Sequence, residues 1–219
     1  MKNQRNRERT EAKLIRAVAQ VLAEEGFSKL GVNAVAKQAG VDKVLIYRYF
    51  GGLEDLMKAY AASADFWPPV SELLGDSDAR EQLKSIPFHE AFSEVFRRYA
   101  HALRTRPLTL EILSWETVER NALTVALEDV RESIGLELMS FLSENNPPNA
   151  DWLAIANIFS SAIHYLAIRG RKIKSFTGMD ISTDESWDRL INGMQFLVSN
   201  VDSNDPRPAE TNGDDDNGQ

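Results

Sequence analysis

Between Arg9 and Gly26 the apolar residues Leu14, Val18, Val21 and Leu22 recur at i, i+4, i+7 and i+8, the spacing of one helix face. The pattern predicts a helix ended by Gly26, with Phe27 packing back onto it. In the next stretch Val35, Ala36 and Ala39 share one face, Gly40 interrupts, and Ile46 and Phe50 share another. That reads as helix, short turn, helix over residues 31–50, with Gly40 suited to the left-handed conformation and Asp42 to capping the second helix. Leu53, Leu56, Met57 and Tyr60 mark a fourth helix. Pro68, Pro69, Gly75 and Asp76 then break the pattern, which predicts a helix end and a connecting loop over residues 61–86.

Periodicity returns at Phe88, Phe92, Val95, Phe96, Tyr99 and Leu103 and stops before Pro107. Residues 108–119 read as helical, and Leu123, Leu127, Val130, Ile134, Leu138, Phe141 and Leu142 give a long helix closed by the turn Asn145 to Asn149. From Asp151 to Ile168 the chain is apolar on nearly every side, so that helix should be covered both by its own domain and by a second subunit. A basic, glycine-containing loop, residues 169–182, leads to a last helix carrying Trp187, Leu190, Ile191, Met194 and Val198. Residues 201–219 lack periodicity and are expected to form a disordered acidic tail. No internal repeat and no strand alternation appears, so the expected class is all-α, with about nine helices.

Composition narrows the function. The chain of 219 residues is 43% apolar, enough for one large domain or for a small one joined to a medium one. No run approaches the roughly 18 apolar residues of a membrane span, and the charged start has no hydrophobic signal core, so cytoplasmic localisation without membrane contact is expected. There is no cysteine, and His89, His101 and His164 never fall at a metal-ligand spacing, so neither a metal nor a cofactor is expected. An enzyme lacks support: there is no glycine-rich phosphate loop and no cysteine nucleophile, and Glu111 and Glu116 beside Trp115 come nearest to a catalytic set. The formal charge of −8 is uneven. Residues 1–60 hold eleven Lys or Arg against seven Asp or Glu, a net of +4, and the remainder carries −12. A basic end on an acidic body suits a polyanion bound there alone, although a solvated mixed-charge face explains it almost as well.

A helix, a glycine and a second helix is also an ordinary way to pack two helices. The wording is more specific. Gly26-Phe27 after the first helix, Val35-Ala36 and Ala39-Gly40-Val41 around the turn, Ile46-Tyr47 with Tyr49-Phe50 in the next helix, and Glu54 with Leu56 in the fourth resemble the N-terminal domain of the tetracycline-repressor (TetR) family. The resemblance covers residues 8–68. It implies a helix-turn-helix DNA-binding domain of three helices, followed over residues 69–200 by a helical bundle for effector binding and dimerisation. It also implies a homodimer, and a repressor that binds a palindromic double-stranded operator and is released by an unidentified small molecule. A constitutive DNA-binding regulator, a helical enzyme or an interaction module are the alternatives.

Carried onto this sequence, the family's recognition helix sets Asp42, Lys43, Val44 and Leu45 against base edges and Tyr47, Arg48 and Tyr49 near phosphates, with Asn33 as a phosphate ligand from the bracing helix. Lys43 can donate to guanine, while Val44 and Leu45 either pack on thymine methyls or are buried. Leu53 departs from the lysine usual in the family there. Arg5, Arg7 and Arg9 either reach a minor groove as a basic arm or belong to a frayed, solvated terminus. In the second domain Phe92, Phe96, Tyr99, Trp115, Phe159, His164 and Tyr165 are candidates to line an effector cavity, though aromatics at helical spacing also simply fill cores.

Overall fold

The computed structural model describes residues 2–63 and 66–203. The expected tail falls outside the described residues from 204 on, and residues 201–203 close the last helix.

The first helix, α1 (Lys2–Glu24), buries Leu14, Ala17, Val18, Val21 and Leu22 as their spacing predicts. A 3-10 turn (Phe27–Lys29) seats Phe27 in the core. Two short helices follow, α2 (Val32–Ala39) and α3 (Val44–Phe50). Gly40 between them has φ +64°, and its N–H donates to the carbonyls of Ala36 and Lys37, which closes α2 without the steric cost a side chain would carry. α4 (Leu53–Ala61) completes the domain. Val35, Ile46, Leu56 and Met57, all fully buried, hold α2 and α4 onto α1 and α3 onto α4.

The expected connecting loop over residues 61–86 is instead largely helical, with α5 (Val70–Leu74) and α6 (Ser77–Ser85). The residues that break the periodicity act as caps. Pro69 sits just ahead of α5, where a missing N–H costs nothing. Gly75 ends α5 at φ +80°, and the Asp76 carboxylate opens α6 by accepting from the Ala79 N–H at 3.0 Å.

The second domain is built on α7 (Phe88–Arg104), packed against α8 (Pro107–Glu116), α10 (Trp152–Gly170) and α11 (Asp184–Ser203). Between α8 and α10 runs α9 (Ala122–Ser143). Phe92 and Phe96 stack at 4.7 Å, and both meet Phe159 of α10 edge-on at about 6 Å. Burying one such ring contributes about 1.5–3 kcal/mol, so this row is the spine of the domain. The loop expected over residues 169–182 contains a small antiparallel pair, β1 (Ser175–Phe176) and β2 (Met179–Asp180), turned through Thr177 and Gly178 at positive φ. Two-residue strands are too short to show alternation in a sequence. The described residues thus form eleven α-helices, the short α5 and α6 being the elements the periodicity does not show.

The helices of residues 2–61 meet the later bundle at α4 and at α8. α4 lies along α9, and α8 reaches α1 and the 3-10 turn, where Trp115 stacks on Phe27 at 5.9 Å.

Candidate nucleic-acid interface and interior cavity

α3 is short, and only Ile46 of it is fully buried. Its core attachment is that side chain, with Leu45, Tyr49 and Phe50 half-buried, so the rest of its surface faces outward. Val44 is 57% exposed and Tyr47 55%, far more than packing would leave to such residues. Asp42, Lys43, Arg48 and, on α2, Asn33 are exposed as well. One Asp42 oxygen accepts from the Val44 N–H at 2.8 Å, so this carboxylate caps α3, as its place in the sequence suggests.

Tyr49 lies half-buried beneath the Arg7 guanidinium, 5.3 Å from its ring centre, and Arg7 also donates to Glu11 at 2.7 Å. Arg5, Arg7 and Arg9 sit on the first turns of a continuous α1, which makes them neither an extended arm nor a frayed end. A solvent-filled cleft between α1 and α3 is lined by Arg7, Arg9, Lys13 and Arg48, with Asn6, Thr10 and Tyr49 between them. Four cations along one cleft beside an exposed helix make a surface for a phosphate backbone. Leu53, in place of the lysine usual in the family, is partly buried against the core at the start of α4.

The second domain holds a cavity of about 180 Å³ between α7, α9 and α10. Of the seven aromatic and histidine candidates, Phe96, Tyr99 and His164 line it. Phe92 and Phe159 stand behind them in the core. Trp115 is at the domain joint, its Nε1 donating to Glu111 at 3.1 Å, and Tyr165 is outward, against Phe176 of β1. The Tyr99 hydroxyl and the His164 Nε2 share a hydrogen bond. Burial, with the nearby Arg131 charge, pushes the His164 pKa down to about 4, so the ring is neutral. Burial likewise pushes the Tyr99 hydroxyl up.

Sequence reasoning about aromatics passes over Arg131, which lines the same cavity and pairs with Glu116 at the end of α8. A signal was there: Leu127, Arg131, Ile134 and Leu138 fall on one face of α9, so a cation occupies a core-facing position. Burial raises the Glu116 pKa against the pull of Arg131, whereas Glu111 is lowered, chiefly by the hydrogen bond from Arg171. Among the described residues no group of three His, Asp or Glu side chains could hold a metal ion, and no helix is long and apolar enough to cross a membrane.

The described residues thus hold a helix-turn-helix beside a basic cleft, with a cavity elsewhere in the helical bundle. Residues 14–60 match the family model for bacterial regulatory proteins of the tetR family. The helix-turn-helix segment of this chain is thus of the tetR type. No curated protein matches it in sequence. Solved structures share its fold. The fatty acid degradation regulator FadR from Bacillus halodurans superposes with a TM-score of 0.59 at 18% identity, over 86% of this chain and 94% of that one. FadR from Bacillus subtilis, in complex with stearoyl-CoA, gives 0.55 at 18% over 85% and 96%. A TetR-family regulator from Haemophilus influenzae gives 0.54 at 18% over 86% and 96%.

Proposed function

We propose that the protein is a cytoplasmic, non-enzymatic repressor that binds a palindromic operator as a homodimer and lets go when a small apolar or amphipathic molecule enters its second domain. The observation that carries this is the outward surface of α3, with Val44 and Tyr47 exposed beside the basic cleft, inside a segment that matches the family model. Residues 8–68 form the DNA-binding domain and residues 69–200 the effector and dimerisation domain. Lys43, Val44 and Leu45 reach base edges from α3 behind the Asp42 cap, while Tyr47, Arg48, Tyr49 and Asn33 serve the phosphates.

The dimer reading is supported by Leu153, Ile158 and Tyr165 on α10 and Phe196 and Leu197 on α11, each more than half exposed. Such a set of large apolar side chains suits an interface better than water. The effector reading is supported by the cavity and by the fold shared with a regulator bound to stearoyl-CoA. α4 carries the signal, because one side of it packs in the DNA-binding domain and the other lies on α9, whose residues Arg131 to Met139 line the cavity. A ligand that weakens DNA binding 100-fold needs about 2.7 kcal/mol of coupling, and DNA then weakens the ligand equally.

Band-shift titration of the full chain against short duplexes from the region upstream of its own gene tests the proposal. Specific retention of one duplex, reduced by salt, is expected. Equal, weak binding to every duplex overturns it.

A further inference from the structure

One charge reaches an otherwise mostly apolar cavity. The Arg131 guanidinium lies 6.0 Å from the centre of the Trp67 ring, and its field acts on both Tyr99 and His164. Its side chain is 25% exposed, so it depends on a partner, and the structure gives it Glu116, 17% exposed. That partner is held against its own preference. Burial lifts the Glu116 pKa even with Arg131 beside it, so Glu116 takes up a proton more readily than a free carboxylate once the guanidinium has another partner. A guanidinium presents five N–H donors in a planar fork and suits a carboxylate above other small anions. The other polar groups at the cavity are the Tyr99 hydroxyl, neutral His164, Asn157 and Ser160, none of which balances charge; the acid Glu132 is exposed at the rim.

Val95, Phe96, Leu138, Met139 and Ala156 are among the apolar walls, with Leu136 and Leu153 exposed at the opening. An apolar cavity of about 150 Å³ takes a benzene ring, so about 180 Å³ with an open rim admits a short alkyl chain.

We propose that the cavity binds an amphipathic monocarboxylate, with its tail among Val95, Phe96, Leu138 and Ala156 and its head on Arg131, and that the head displaces Glu116 from the guanidinium. The inference rests on the effector reading above and names the ligand class and the residue that selects it. It also gives the ligand a second path to the DNA-binding domain. Glu116 ends α8, and the residue before it, Trp115, is stacked on Phe27. Exchanging the partner of Arg131 therefore loosens the end of α8 at the domain joint.

Calorimetric titration of the full chain with octanoate, octanol and octylamine tests this. Octanoate should bind at least about tenfold tighter than octanol, the worth of one charge-assisted hydrogen bond, and octylamine should bind more weakly than either. Arg131→Met should abolish that preference while leaving octanol affinity within about threefold, and Arg131→Lys should keep part of it. Glu116→Gln should tighten octanoate, a change opposite in direction to anything that misfolding produces. Equal affinity for octanoate and octanol, a preference that survives Arg131→Met, or no binding of any of the three overturns the inference. Upstream-duplex binding by the same preparation, without any of these compounds, reports separately on the DNA-binding reading.

Discussion

On the proposed DNA-binding reading, Lys43, just ahead of α3, and Tyr47, within it, separate sequence reading from simple adhesion. Lys43 and Tyr47 are both exposed, but a lysine ahead of the first turn can donate to a guanine edge, whereas a phenol one turn on is placed to meet backbone. Lys43→Ala should cost about 1–3 kcal/mol on the specific duplex and little on unrelated DNA, while Tyr47→Phe should weaken all duplexes alike. If both variants bind the operator as tightly as the parent, α3 is not the reading helix. At the cavity, His164 holds its proton off down to about pH 4, while the unfolded chain takes one up near pH 6.5. Between those values the unfolded state binds more protons, so stability is full above about pH 6.5 and falls as pH is lowered towards 4. His164→Gln keeps a hydrogen-bonding partner for Tyr99 and removes the proton uptake. The difference in unfolding free energy between pH 7 and pH 5, from urea titrations at one protein concentration, should shrink by about 2 kcal/mol. An unchanged difference would mean that His164 is solvated.

At the scale of elements, α5 and α6 stand where proline and glycine would ordinarily argue for a loop, and their join is sterically exacting. A Cβ on Gly75 would lie 2.5 Å from the Ala79 Cβ, and the residue has φ +80° besides. Gly26 has the same φ with no atom within 4 Å of such a Cβ. Gly26→Ala should therefore cost about 1 kcal/mol, the backbone penalty alone, and Gly75→Ala clearly more, about 2–3 kcal/mol. Thermal or urea unfolding of the two variants makes the comparison, and equal losses would show that α6 yields to the added methyl. The stack of Trp115 on Phe27 is the other exacting join, because it ties α8 to the helices that carry α3.

For the whole molecule, the outward faces of α10 and α11 and the two-domain arrangement define what assembly must do. Ile158 and Phe196 are 64% and 68% exposed and belong to no cavity wall, so replacing them with glutamate leaves the fold of the chain alone while charging both faces. Sedimentation of the parent should give twice the 24.6 kDa chain mass, and Ile158→Glu with Phe196→Glu should shift it to one chain at micromolar concentration. Operator affinity should fall with it, because two half-sites about 34–36 Å apart need two coupled recognition helices. A parent that sediments as a stable monomer refutes the dimer.

The amino-acid sequence by itself determined the helices that carry a wide apolar face, because a 3.6-residue period is written locally: α1, α7 and α9 follow Leu14 to Leu22, Phe88 to Leu103 and Leu123 to Leu142. It also determined the reading unit, since Gly40 and the Asp42 cap act within a few residues of themselves. Tertiary structure alone decided what depends on distant partners. Pro69, Gly75 and Asp76 read as breakers until the buried Leu73 and Leu74 show why two short helices are retained there. The seven candidate aromatics and histidine look alike as a list. Phe96, Tyr99 and His164 reach the cavity, while Trp115 and Tyr165 do not, because the rotation of each helix is set by the neighbours it packs on and not by its own period. Arg131 shows the same division: its place on an apolar face is legible in the chain, but its pairing with Glu116 spans two helices, and only the packing of α8 against α9 brings the two charges together.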